Sequence, residues 1–253
     1  TAGDALLNGS TTVRSGKFTL AGGSFNGGNS TNHAAIATLS GSAFEWSGGT
    51  VNGTLTFTPG TSVHLTGNQK AMGNGAVLNN YGNVRWSSGS IYNSAYNAAQ
   101  SATINNRNGA LWEIAGDLSL TYDYEPSTFN NEAGAALLKS EGNGTSICSW
   151  ILNQDGLLDV QSGKFRTESN LTFGSNATTS LRVAGATPLT EYAQLDHTGA
   201  LTPGGTLKLI LDGGYVPTNN MAFTLATYAS GNGQFALVEL PALPKESKWQ
   251  LTY

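Results

Sequence analysis

Four segments of this 253-residue chain share one pattern: an apolar residue, two side-chain amides, a spacer with glycine, then alternating apolar and polar residues. They read LNNYGNVRWSSG from Leu78, INNRNGALWEIAG from Ile104, FNNEAGAALLKSEG from Phe129 and LNQDGLLDVQSG from Leu152. The leading amides, Asn79, Asn105, Asn130 and Asn153, are spaced by 26, 25 and 23 residues. A unit of that size, with strands of four or five residues, cannot bury its apolar face alone. Stacked coils solve the problem, because they form continuous parallel sheets about 4.8 Å apart from rung to rung. Asparagine before a turn bonds its own backbone, tolerates left-handed geometry and stacks on the asparagine of the next coil. The pattern predicts an all-β parallel solenoid over residues 1–180, with about six to eight coils.

Two weaker markers accompany the repeat. Glycines seven positions apart occur at 9/16, 41/48, 60/67, 82/89, 109/116 and 156/163. With 33 glycines in the chain, about four such pairs arise by chance, so the alternation between them carries the weight. Val84 and Trp86, or Leu158 and Val160, alternate with Asn83, Arg85 and Asp159 as one face of a strand does. The near-identical hexapeptides VRSGKF (Val13–Phe18) and VQSGKF (Val160–Phe165) point to duplication. One conflict arises: aligning the glycines turns Glu113 inward and leaves Trp112 outside beside Arg85. An inward Trp112, reached through a bulge, is the better expectation, since a buried unpaired carboxylate is costly.

After Ala184 the strand-like runs lengthen, at 207–211, 222–227, 235–240 and 249–253, between turns such as Pro203-Gly204-Gly205. Residues 181–253 therefore read as a β-rich cap or small β domain closing the solenoid's open edge. The start at Thr1 suits a trimmed chain, and the end at Tyr253 in mid-strand suggests continuation.

Only 11% of residues are charged and the net charge is −4, with no basic cluster, so a nucleic-acid footprint is not expected. No apolar run reaches the length of a transmembrane helix. The single cysteine, Cys148, sits in an apolar run and reads as a small buried hydrophobe.

The NN-x-G coils, the SGKF strand ends and the tail carry a resemblance. That tail comprises Tyr192-Ala193-Gln194-Leu195, Gly205-Thr206-Leu207, Gly214-Tyr215-Val216-Pro217, Phe223 and Gly233-Gln234-Phe235. Together they are similar to secreted bacterial repeat proteins, namely autotransporter passengers and filamentous haemagglutinin-like adhesins. The resemblance implies a right-handed parallel β-helix at the cell surface or outside the cell, with an adhesive or structural role and no transferable catalytic or ligand residue.

The chemistry is sparse. His33, His64 and His197 are isolated, no adjacent aspartate pair suits glycoside hydrolysis, and no zinc spacing occurs. No catalytic residue, metal ligand or cofactor is expected. The densest acidic stretch, Asp117 to Asp123-Tyr124-Glu125, reads as a loop, with a Ca²⁺ or sugar site as the alternative. The candidate ligand-binding residues are Trp112, Tyr122, Asp123, Tyr124 and Glu125, with Tyr92 and Tyr96 nearby, because exposed rings suit sugar stacking. The leading expectation is a non-catalytic extracellular structural or adhesive protein, self-associating end to end or binding host or cell-surface glycans. The alternative is a carbohydrate-binding or polysaccharide-cleaving module. Ice binding fits less well: Thr54, Thr56 and Thr58 form one threonine strand without an evident matching row at the coil period.

Overall fold

The computed structural model describes residues 5–7, 11–13, 16–27, 36–39, 43–244 and 247–253. His33 and the glycines at 9, 28 and 41 lie outside them. The described residues form a β-solenoid of about 7 turns, built from three parallel sheets. Sheet A has ten strands, from Ala5–Leu7 to Ala226–Gly231. Sheet B has eight, from Thr11–Val13 to Leu171–Phe173. Sheet C has ten, from Lys17–Leu20 to Leu237–Glu239. A complete coil visits A, B and C in turn, as in Ile91–Asn93, Thr103–Asn106 and Leu111–Ala115. The described helix is a single 3-10 turn, Ala98–Gln100, and among the described residues no helix is long and apolar enough to cross a membrane.

Alternation in four-residue strands sends every second side chain inward. Register then stacks like on like: Leu55, Leu78, Ile104, Phe129 and Leu152 form one inward file of sheet B. Trp46, Trp86, Trp112 and Trp150 are all fully buried, and Trp112 meets Phe129 edge-on at 5.4 Å. Each such apolar side chain contributes about 1.5–3 kcal/mol by burial, and neighbouring coils supply the contacts a single coil lacks.

The B–C corner explains the conflict over Trp112. In one form two residues turn it, Tyr81-Gly82 or Asp155-Gly156. There the chain approaches the coil below so closely that a Cβ on Gly82 would lie 2.5 Å from the Thr61 carbonyl oxygen. In the other form four residues turn it, Arg107–Ala110 or Glu132–Ala135, closed by Ala110 N–H donating to Arg107 O at 2.9 Å. Gly109 takes the left-handed position of that turn, at φ 79°. Gly82 thus directly precedes its strand, whereas Gly109 precedes Ala110. Aligning the two glycines shifts the register by one and exchanges the faces. The true partners are Val84 with Trp112, Arg85 with Glu113 and Trp86 with Ile114. Trp112 points inward because the corner is longer, without a bulge before it.

The two SGKF hexapeptides need a correction. Val13 ends a sheet B strand and Lys17 opens one in sheet C, whereas Val160 ends sheet C and Lys164 opens sheet A. They turn different corners, with Gly16 and Gly163 both at positive φ, so their likeness reflects the demands of a turn rather than a duplicated coil.

The expected boundary at 181 falls inside the strand Thr178–Val183, and sheets A and C run across it for two further rungs. Sheet B stops at Phe173. Beyond it the interior opens into a cleft of about 800 Å³ lined by Leu195, Leu207, Leu209, Phe223 and Trp249 among others.

Candidate functional site

The A–B corner brings together most of the expected ligand residues. Two successive loops turn it, 94–102 and 123–127. Asn97 accepts from Ala99 N–H at 3.1 Å to start the 3-10 turn, and Tyr96 N–H donates to Gln100 Oε1 at 2.9 Å. Glu125 N–H donates to Ala95 O at 3.1 Å, which ties the second loop onto the first. Tyr96 and Tyr124 therefore stack, with ring centres 4.6 Å apart and planes at 24°, and both remain well exposed, at 65% and 60%. Tyr92 Oη donates to Asp123 Oδ2 at 2.6 Å. That bond to a carboxylate keeps the Tyr92 phenol protonated beyond its ordinary range. Tyr122 closes its strand half-buried against the core. The corner can thus present a stacked tyrosine pair, with a phenol and a carboxylate beside it.

Trp112 does not join them. It lies in the core with no exposed surface and cannot meet a surface ligand. Asp117 is also separated, since it turns a C–A corner, where Lys139 Nζ donates to Oδ1 at 2.9 Å and Gly144 N–H to Oδ2 at 3.0 Å. The acidic stretch is divided between two corners, and among the described residues no group of three or more His, Cys, Asp or Glu could hold a metal.

The other reactive side chains are occupied by partners within the fold. Burial pushes the Cys148 thiol up to about 12, and Sγ faces Trp150 O at 3.5 Å. His197 is buried, with Nδ1 2.8 Å from Thr167 Oγ1 one rung away. Partial burial works against the Glu113 carboxylate. Hydrogen bonds from Ser140 and Arg85, with the guanidinium charge, outweigh it and hold the carboxyl below its ordinary value. Arg85 bridges Glu113 and Glu141, the latter at 2.6 Å.

Sequence reasoning missed two buried lysines. Lys70 Nζ donates to the carbonyls of Thr66, Asn68 and Ser88 at 2.7–2.9 Å, and burial pushes its ammonium down to about 8. Lys139 Nζ caps Glu141 O at 2.8 Å and Gly116 O at 3.2 Å besides Asp117. The only signal was an inward-phase lysine in a short strand, as in KAM or ALLKSE.

It also missed half of the amide pattern. Asn79, Asn105, Asn130 and Asn153 form an outward ladder on sheet B, each Nδ2 donating to the preceding Oδ1 at 2.7–2.9 Å. The second amides, Asn80, Asn106, Asn131 and Gln154, form a buried ladder bonded in the opposite sense, each link 2.9 Å. These inner amides also donate to backbone, as Asn106 does to Ala136 O at 2.8 Å. Backbone register continues the file in both directions, pairing Thr56 with Thr38 and Thr38 with Thr12 on one side, and Asn153 with Thr172 on the other. The threonine of Thr54–Phe57 therefore has partners in a row, hidden from a fixed-period search because coil lengths vary. Compared with known proteins, the chain matches no protein family, no curated protein and no solved structure.

Proposed function

We propose that this chain is a non-catalytic structural or adhesive segment of an extracellular surface protein, with the solenoid as a stiff rod. The observation that carries the reading is how the polar side chains are used. The paired amides, Arg107 with Glu132 at 2.6 Å, and Arg166 with Asp196 at 2.6 Å all connect one rung to the next. Groups spent this way resist separation of coils along the axis and are poorly placed to converge on a substrate. Parallel sheets joined rung by rung also spread strain over many backbone bonds. The low charge suits packing against a surface or another rod.

Removing residues 80–105, one coil from amide to amide, tests the rod. The shortened protein should fold and unfold cooperatively; global collapse would contradict the reading. Electron microscopy across a concentration series should show single rods or filaments of them, and globular particles would count against it. Protease treatment of intact producing cells tests the location, since an extracellular segment is digested and an internal one is spared.

A further inference from the structure

We infer that the outer face of sheet B is a docking surface for a neutral, unbranched polysaccharide chain lying along the solenoid axis. The inference rests on the adhesive reading and assigns its surface. Three independent features of the face lead to it.

The first is charge. The ten strands of sheet C contain ten Asp, Glu, Lys and Arg residues, whereas the eight strands of sheet B contain none. At the B–C rim, Arg107 is paired with Glu132 and also donates to Asn79 Oδ1 at 2.8 Å, which leaves no unpaired cation there among the described residues to attract an anionic glycan. A charge-free strip beside a charged sheet selects for a neutral partner, because an ionic one would lose its hydration without compensation.

The second is hydrogen-bonding capacity. A side-chain amide carries two N–H donors and two acceptor lone pairs. At Asn105 and Asn130 the ladder takes one donor and one acceptor. Asn130 and Asn153 thus keep capacity for an outside ligand on adjacent rungs about 4.8 Å apart. Asn105, by contrast, is only 8% exposed, and Arg107 takes the second lone pair of Asn79. The ladder also holds every amide in one orientation, so the array is organised before a ligand arrives. A polymer with hydroxyls at a regular, similar repeat matches such an array; a compact ligand does not.

The third is aromatic rims. Tyr81 stands 40% exposed where sheet B passes into sheet C, and the Tyr96–Tyr124 stack stands where sheet A passes into sheet B. These rings flank the strands that carry Asn79, Asn105 and Asn130. Tyrosine adds contact area on a sugar ring at low entropic cost and a hydroxyl for its edge.

Affinity electrophoresis tests the inference, with mixed-linkage β-glucan and xylan as neutral polymers and polygalacturonate and heparin as charged ones. The protein should be retarded by a neutral polymer and not by the charged ones. Y96A/Y124A should weaken retardation about ten-fold, as the loss of two ring contacts implies. Asn153→Arg, at the exposed end of the ladder, should weaken it as well, while His64→Ala on sheet C should leave it unchanged. Thermal melts of all three variants separate lost binding from lost folding. Retardation by charged polymers alone, equal retardation of all variants, or none with either neutral polymer would overturn the inference. So would ice shaping with thermal hysteresis in place of glycan binding. The coil deletion and microscopy use no glycan, so a failed glycan test leaves the rod standing, and a failed rod removes the reading beneath it.

Discussion

Sheets B and C share one register but place polar residues outside in different ways. The outward file of sheet B runs Thr56, Asn79, Asn105, Asn130, Asn153 and Thr172. The corresponding file of sheet C runs Glu45, His64, Arg85, Glu113, Leu138, Asp159, Ser180 and Lys208. An amide is its own partner, since each carries donor and acceptor, so the same residue can recur on every rung. A charge is not: like charges about 4.8 Å apart repel by about 1 kcal/mol in water and about 3.5 kcal/mol at an effective dielectric of 20. Sheet C must therefore vary its residue from rung to rung and pair opposites, as Arg85 does with Glu113. Repetition visible in the sequence is for this reason repetition of sheet B.

The sharpest way to break the comparison is to put a charge into the inner ladder. Asn106→Asp removes donors to Asn131 and Ala136 and buries a carboxyl, and should cost about 3–5 kcal/mol in urea unfolding. A cost below 1 kcal/mol would mean that the ladder is decorative. Next, Arg85→Glu sets like charges against Glu113 and Glu141 and should cost about 2 kcal/mol, whereas the same change at exposed Asn153 should cost under about 1 kcal/mol. Equal costs at both sites would remove the distinction between the sheets.

The smallest effect is set by pH. The Glu113 carboxyl is held below its unfolded value of 4.5, so its contribution is fully present above that pH and is lost as pH falls through the lower folded value. Below 4.5 the native protein should lose stability faster than Glu113→Gln does, by under about 1 kcal/mol. Parallel curves for the two proteins would show that the Arg85–Glu113 pair contributes nothing.

The same contrast explains what the sequence disclosed. The solenoid and the outward asparagine ladder were legible because amides repeat. Trp112 was placed correctly only by the cost of burying Glu113, since glycine alignment mixed two corner lengths. The SGKF likeness misled because a tight turn asks for the same residues at any corner. Of the ligand candidates, Tyr124 and Asp123 do face partners from the previous coil, Tyr96 and Tyr92. Trp112 was included for its proximity along the chain, which in a solenoid says little about proximity in space. Lys70 and Lys139 escaped notice because a charged residue in an inward position contradicts the alternation rule, and only carbonyls brought together by a corner make it tolerable.

The stacking itself is open to one direct measurement: the distance between spin labels at Thr56→Cys and Asn153→Cys, in a Cys148→Ser background. The positions lie four rungs apart on the sheet B file, so electron–electron double resonance should give a narrow distribution near about 19 Å between backbones, plus the label arms. Removing residues 80–105 should shorten it by about 5 Å. A broad distribution, or a distance unchanged by the deletion, would contradict the stacked file on which the fold and its proposed surface depend.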